Sequence, residues 1–259
     1  MNKLELLKNK LNSYGKLCVA FSGGVDSSFL LYVAYHVLGD NALAVLIDSP
    51  VLARRDKKEA VDWLEQLGVK YAVVEENPFD SPDFSQNSRM RCYFCKKNNY
   101  ELILDVAKQY GINYVADGQN ADDAQSEHRP GIRASKELGV VSPLNECGLT
   151  KEDIRFYSKQ LQVSTWNKPA NACLSSRVPY GFEITKERLA VIEAAEDVLR
   201  KRGMEGCRVR WHESIARIEA PRDYFDAILN TKEITQEIKA LGFKYITLDL
   251  EGFRSGSMN

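Results

Sequence analysis

Short apolar runs alternate with stretches of helical period through the first two thirds of the chain. LCVAF, ending at Phe21, and ALAVLID (42–48) predict buried strands. Between them SSFLLYVAYHVL carries a helical period, and ARRDKKEAVDWLEQLG (53–68) is amphipathic and stops at a glycine. VKYAVVE (69–75) predicts a third strand, NYELILDVAKQYG (99–111) a helix and NYVADG (113–118) another strand. TKEDIRFYSKQL (150–161) opens on Thr150 with Asp153 three residues on, close to a capping box. Strand and helix in alternation predict an α/β fold, a parallel sheet covered on both faces. Residues 77–97 break the rhythm with two prolines and many polar residues. That is long for a loop in a compact domain, so it is a candidate functional segment.

Near PYGFEIT (179–185) the pattern changes. A helix (185–203), the strand pair CRVRWH and IARIEA, a helix (224–242) and a last strand, YITLDLE, predict a smaller α+β domain. The expected division is therefore 1–180 and 181–259.

Composition narrows the partners. The 35 Lys and Arg against 36 Asp and Glu leave a net charge of -1, so no basic field points to nucleic acid or an anionic membrane. A small-molecule substrate is favoured. The charged N-terminus lacks the apolar core of a signal peptide, and no segment reaches the length of a membrane span, which predicts a cytoplasmic protein. Six cysteines scattered over 259 residues predict reduced thiols, and the three histidines form no HExxH pattern, which argues against a zinc enzyme.

The junction between the first strand and helix reads SGGVDSS (22–28). It is neither a Walker A loop nor GxGxxG. Gly23 and Gly24 free the backbone to aim several N–H groups at one oxyanion, Ser22, Ser27 and Ser28 add hydroxyls, and the following helix adds its positive end. Asp26 would repel a phosphate alone and makes sense beside it as a Mg²⁺ contact. The plainer alternative is a glycine turn that caps a helix.

With a strand before it and a helix after it, this stretch resembles the pyrophosphate loop (PP-loop) of ATP pyrophosphatases. RCYFCK (91–96), DGQNADD (117–123), HRPG (128–131), SPL (142–144) and KPANACLSSRVPYG (168–181) extend the resemblance over nearly the whole chain. In this order they resemble the LarE family, ATP-dependent sacrificial sulfur transferases that help to build the nickel pincer cofactor of lactate racemase. The resemblance implies an adenine nucleotide alpha hydrolase-like fold, ATP and Mg²⁺, and a nicotinic acid-derived substrate, pyridinium biscarboxylic acid mononucleotide. A carboxylate is adenylated, a cysteine thiolate displaces AMP, and the cysteine's carbon–sulfur bond breaks to leave a thiocarboxylate and dehydroalanine. It also implies a homo-oligomer, a hexamer in the family, and as possible partners the nickel-inserting and carboxylating enzymes of the same pathway.

Each step selects residues. The phosphates fall to Ser22, Gly23, Gly24, Asp26 and Ser27. Adenine and ribose fall to Asp48 and Ser49, at the carboxyl end of the second strand. Asp117, Gly118, Asp122 and Asp123 end another strand; Asp117 and Gly118 are candidates for the nucleotide and Asp122 for the metal, while an Asx-rich turn is the alternative for each carboxylate. Cys173 is the candidate nucleophile, since Lys168 and Arg177 nearby would favour its thiolate, with Ser176 and Arg177 as catalytic neighbours. Cys18 and Cys207 lie in strands and read as inert, and Cys147 sits in a turn with no cation near it in sequence. Arg208 and Arg210 alternate on one strand face with His212 and suit the substrate phosphate; the alternative is a solvated edge strand. Cys92 and Cys95 form a CxxC in the long loop. With Cys173 they could hold an iron–sulfur cluster, a variant of the family's chemistry that the single cysteine in KPANACLSSR does not favour.

Overall fold

The computed structural model describes residues 2–124, 130–169 and 172–254, so His128 of the HRPG motif and Ala170 and Asn171 lie outside the described residues. In chain order the main elements are α1 (Lys3–Tyr14), β1 (Leu17–Phe21), α2 (Val25–Leu38), β2 (Ala42–Asp48), α3 (Arg54–Leu67), β3 (Lys70–Glu75), α4 (Pro82–Ser85), α5 (Arg91–Gln109) and β4 (Val115–Ala116). Then follow α6 (Ala121–Ala124), α7 (Pro130–Glu137), α8 (Pro143–Glu146), α9 (Lys151–Gln160), α10 (Lys186–Arg200), β5 (Arg208–His212), β6 (Ile215–Glu219), α11 (Phe225–Asn230), α12 (Lys232–Ala240) and β7 (Tyr245–Leu248).

The chain divides into two compact units, residues 1–77 with 92–171 and residues 78–91 with 172–259. The first is the expected α/β domain. Its four strands are parallel, in the order β3-β2-β1-β4. Side chains alternate across the sheet with period two: Leu17, Val19, Phe21, Ala44 and Leu46 enter a core with α1, α2 and α3, while Cys18, Leu43 and Val45 enter another with Tyr100, Ile103 and Ala107 of α5. The chain steps outward from β1 to β2 to β3, then returns to place β4 on the other side of β1. Strand order therefore reverses between β1 and β4, and ligands of open parallel sheets bind outside the carboxyl ends at such a point. The two loops leaving those ends begin at Ser22 and Asp117.

The second unit is a small α+β body, as expected. β5 pairs antiparallel with β6 and β6 parallel with β7, and Ala195, Leu199, Val209, Ile218, Ile234 and Ile238 share its core. Its extent differs from the expected 181–259 in two ways. Residues 172–180 belong to it, and so does 78–91, taken from the middle of the first domain's sequence. Side-chain and backbone hydrogen bonds join these segments. Asn87 sends Nδ2 to the carbonyls of Pro179 at 2.7 Å and Phe182 at 3.0 Å, and Ile184 N donates to Ser85 O at 2.8 Å.

Two elements depart from the sequence expectation. α5 begins at Arg91, so Cys92 and Cys95 lie one turn apart on a helix and not in a loop; RCYFC holds neither proline nor glycine to stop it. The helix expected over 224–242 is two, because Thr231 is extended (φ -100, ψ 95) between α11 and α12. No helix among the described residues is long and apolar enough to cross a membrane.

Candidate active site

In the first unit, β1 delivers the chain into a tight turn. Gly23 has φ +68, and a Cβ there would stand 2.9 Å from that of Ala60, so both conformation and space demand glycine. Gly24 is the N-cap of α2 and supplies no capping side chain, which leaves the first-turn N–H groups without that partner. Ser22 and Ser27 are drawn together, with hydroxyls 3.1 Å apart and Ser22 N donating to Ser27 Oγ at 3.2 Å. A run of donors thus faces the positive end of a helix. Asp26 enters the same corner: Lys151 Nζ donates to its Oδ2 at 2.6 Å, while Oδ1 is buried without a hydrogen-bond partner.

Gly118 lets the second loop close on the first. A Cβ there would lie 3.0 Å from Ser27 N and 3.3 Å from the Asp26 carbonyl carbon. Asp117 holds this approach by accepting four hydrogen bonds, from Tyr100 Oη at 2.9 Å, Ser142 Oγ at 2.8 Å, Gln119 N at 3.1 Å and Gln119 Nε2. Burial first, then the Asp117 charge, pushes Tyr100 up to about 12, so its hydroxyl remains a donor. Asn120 Oδ1 accepts from the backbone of Asp122 and Asp123, and Asp122 Oδ2 accepts from Lys151 N at 2.8 Å. These bonds are those of an Asx turn that shapes the loop.

Asp48 ends β2 nearly buried, with Arg54 at 2.8 Å on one oxygen and Lys57 on the other. Burial works to raise its pKa, but the two cations of α3 outweigh it and hold the carboxyl below its usual range. The neighbouring Ser49 Oγ is buried without a partner. Lys168 lies in this unit too, paired with Glu59 at 3.2 Å.

The second unit presents Cys173. It is exposed, and it precedes a single 3-10 turn, Leu174–Arg177. Three buried arginines hold the carbonyls of this turn. Arg177 Nη1 donates to Ala172 O at 2.5 Å and Cys173 O at 3.0 Å, Arg91 to Ser175 O at 3.0 Å, and Arg210 to Ser176 O at 3.2 Å. Ser176 adds a hydroxyl bond to Cys173 O at 2.8 Å. Arg177 was expected as a cation acting on the thiol; its charge is instead met by Glu196, at 2.9 and 3.2 Å, which also accepts from Val209 N. Arg208 and Arg210 were expected to hold a phosphate, or to be solvated. Both are buried: Arg210 pairs with Glu219 at 2.7 Å, and Arg208 donates to Cys207 O at 2.9 Å. Arg91, CLSSR and CRVRW thus meet through their arginines, which fix the loop that carries the thiol.

The other cysteines separate by environment. Burial pushes the thiols of Cys18 and Cys207 up to about 12, which makes them inert as expected. Cys147 is also raised, first by burial and then by Glu146; contrary to expectation a cation, Lys10, acts on it, but Lys10 is paired with Glu146 at 2.8 Å. Cys92 is exposed and Cys95 half-buried. Among the described residues, no group of three or more His, Cys, Asp or Glu side chains lies together to hold a metal ion.

Sequence reasoning missed Asn87, Arg91, Glu196, Glu219 and Lys151. Arg91 opens RCYFCK, where the two cysteines are the more conspicuous signal. Lys151 carried a signal: a lysine at the first position of a helix opposes the dipole that favours the acidic Glu152 and Asp153 after it.

Strand order, a glycine turn that offers N–H groups and a helix start at the switch point define a PP-loop, ATP-using α/β class. Residues 2–112 match the NAD synthase family, and the chain is 28% identical over 203 residues to a glutamine-hydrolyzing GMP synthase component of Thermoplasma volcanium, covering 73% of this chain and 64% of that one. Within that class the chain belongs to the LarE family, that of pyridinium-3,5-bisthiocarboxylic acid mononucleotide synthase. It is 37% identical over 259 residues to the synthase of that name from Lactiplantibacillus plantarum, covering 99% of this chain and 94% of the relative. It is also 40% identical over 261 residues to an uncharacterized protein of Synechocystis sp., covering 100% and 97%.

Proposed function

We propose that this chain is an ATP-dependent sulfur transferase that converts a carboxylate of a pyridinium biscarboxylic acid mononucleotide to a thiocarboxylate with the sulfur of Cys173, a second chain supplying the sulfur for the second carboxylate. The observation that carries the reading is an exposed thiol on a rigidly held turn, in a chain of this family whose other unit bears the phosphate loop.

The substrate carboxylate attacks the α-phosphorus of ATP and pyrophosphate leaves. The donors at Ser22, Gly23, Gly24 and Ser27 suit the pyrophosphate, and Asp48 and Ser49 lie at the strand end where adenosine is expected. A Mg²⁺ ion fits this corner, since Asp26 Oδ1 is a buried carboxylate oxygen without a partner and Mg²⁺ needs only one or two carboxylates beside phosphates; Asp122 is exposed, with one oxygen on Lys151 N. When bound, the ion neutralises charge on the departing pyrophosphate. The Cys173 thiolate then attacks the acyl adenylate, AMP leaves and a thioester forms. Loss of the Cys173 Cα proton with cleavage of its Cβ–Sγ bond leaves dehydroalanine and releases the thiocarboxylate. Arg177 and Ser176 contribute by holding the Cys173 carbonyl throughout. Arg210, anchored by Glu219, contributes by holding the Ser176 carbonyl of the same turn. Assembly as a homo-oligomer in the cytoplasm and transfer of product to a nickel-inserting enzyme belong to the same proposal and rest on family resemblance.

Intact-protein mass spectrometry after incubation with ATP, Mg²⁺ and the dicarboxylate mononucleotide tests it. The expected result is loss of the mass of H₂S, mapped to Cys173, with the Cys173→Ala variant still releasing pyrophosphate but transferring no sulfur. Repeated turnover at unchanged mass, the behaviour of a cluster-dependent variant, or sulfur transfer by Cys173→Ala overturns it.

A further inference from the structure

One cation of the first unit has no part in the reaction just described. Lys151 opens α9 directly after Thr150, whose capping box with Asp153 fixes the helix start. Its backbone N–H is taken by Asp122, and its ammonium reaches 125 residues back along the chain to Asp26 Oδ2 at 2.6 Å. Lysine is a poor choice for a first helical position on dipole grounds, so the ion pair and not the helix accounts for it. Neither partner is deeply buried: the side chains of Lys151 and Asp26 are 35% and 23% exposed. The pair borders the donors of the phosphate loop, since Asp26 follows Gly24 by two residues and Ser27 Oγ reaches Ser22.

The charges around this corner raise a question of balance. Asp26 and Asp122 bring carboxylates to the place where a polyphosphate would sit, and like charges there oppose binding. Lys151 is the cation bonded to both residues, to Asp122 through its backbone and to Asp26 through its side chain. Asp26 in turn uses one oxygen for the ammonium and keeps the other buried and without a partner. A carboxylate so half-satisfied can exchange one cation for another. Lysine is a point charge on a flexible stem, and phosphate oxygens suit it as well as carboxylate oxygens do.

We propose that Lys151 is a nucleotide-site residue: it neutralises Asp26 while the loop is empty, and passes its charge to the bound polyphosphate as a divalent cation takes over the Asp26 carboxylate. The proposal rests on the reading of SGGVDSS as an ATP phosphate loop. Lys151 then determines how strongly nucleotide binding depends on Mg²⁺. With the lysine present, ATP alone meets a neutralised carboxylate; without it, ATP meets bare Asp26 unless the metal is there.

Calorimetric titration of the full chain with ATP, in the absence of the acceptor substrate and with or without Mg²⁺, tests this without turnover. Lys151→Met is expected to weaken Mg²⁺-free binding by about tenfold or more, the size of one charged hydrogen bond, and Mg²⁺-supported binding by less. The ratio of the two affinities therefore widens, and Lys151→Arg brings it part of the way back. In an Asp26→Asn background the same lysine substitution costs less, and the Mg²⁺ dependence shrinks. Equal losses with and without Mg²⁺ that track a lower melting temperature, with no recovery in Lys151→Arg, overturn the proposal and reduce Lys151 to a tether for α9. Absence of ATP binding by the unaltered chain under both conditions overturns the phosphate-loop reading itself.

Discussion

At Ser22–Ser27 the backbone presents N–H groups at a helix start that no side chain caps, whereas at Cys173–Arg177 four carbonyl positions, Ala172, Cys173, Ser175 and Ser176, are held by buried guanidiniums. The first loop keeps open groups of both kinds, uncapped N–H donors and one carboxylate oxygen, whereas the second has these carbonyls bonded. Asp26 Oδ1 lacks a partner in the first; in the second, Arg177 and Arg210 each have a carboxylate, Glu196 and Glu219, to balance their charge. Unmet donors prepare a surface for an anion that comes and goes. Fully met acceptors fix a backbone so that one exposed side chain, Cys173, is presented in a constant geometry. The same element types therefore serve as a receptor in one unit and as a mount in the other.

The most severe way to break the comparison is to empty the mount. Arg177→Met leaves Glu196 buried with its main partner gone and removes donors from Ala172 and Cys173, so unfolding stability should fall by about 3–5 kcal/mol, read by urea denaturation. Arg177→Met with Glu196→Leu replaces the ion pair by apolar volume and should recover much of that loss. The carbonyls remain without their donor, so sulfur loss from Cys173 should stay depressed in the stable double variant. Recovery of sulfur loss together with stability would show that the pair serves folding alone and that the mount is not a mount.

A smaller effect comes from the receptor, where two adjacent glycines give an internal contrast. Gly23→Ala forces a side chain into φ +68 and against Ala60 at 2.9 Å, which should cost about 1–3 kcal/mol and weaken ATP binding. Gly24→Ala has φ -82 and meets only Ser22 Oγ at 3.5 Å, so it should cost less, about 1 kcal/mol or under for alanine at an N-cap. Equal melting temperatures for the two variants would remove the geometric reason for Gly23.

How far the sequence could be read follows the same division. The short apolar runs LCVAF and ALAVLID and the glycines after the first strand are local signals, and the parallel sheet and its phosphate loop follow from them. The mount is not local. Arg91, Arg177 and Arg210 are separated by 86 and 33 residues in sequence and act on one turn, which no spacing rule reports. The alternation of Arg208 and Arg210 was legible, and their burial was not, because it depends on Glu219 of the neighbouring strand. Asn87 was equally hidden: a polar residue in an irregular stretch proved to be a buried pin that helps to join 78–91 to the second unit. Asp117 is a further case: its place at a strand end is legible in the sequence, and the four internal hydrogen bonds that its oxygens accept are not.

The mildest test uses acid. In the first unit, Asp48 is held below its usual range because Lys57 and Arg54 outweigh burial, and Glu59 is held down because Arg55 and Lys168 outweigh burial. A carboxyl whose folded pKa is depressed stabilises the fold fully above its unfolded value, about 3.9 for Asp and 4.3 for Glu, and loses that contribution as pH falls through the folded value. Stability measured from pH 6 downward should therefore be flat to about pH 5 and then decline. Asp48→Asn removes one depressed group, so its decline should be shallower than that of the unaltered chain, at some cost in stability near neutrality where the ion pairs are lost. Asp48 also lies at the strand end where adenosine is expected, so Asp48→Asn should lower ATP affinity at pH 7 as well. Unchanged ATP affinity would confine Asp48 to holding Lys57 and Arg54, and the receptor would then stop short of the end of β2.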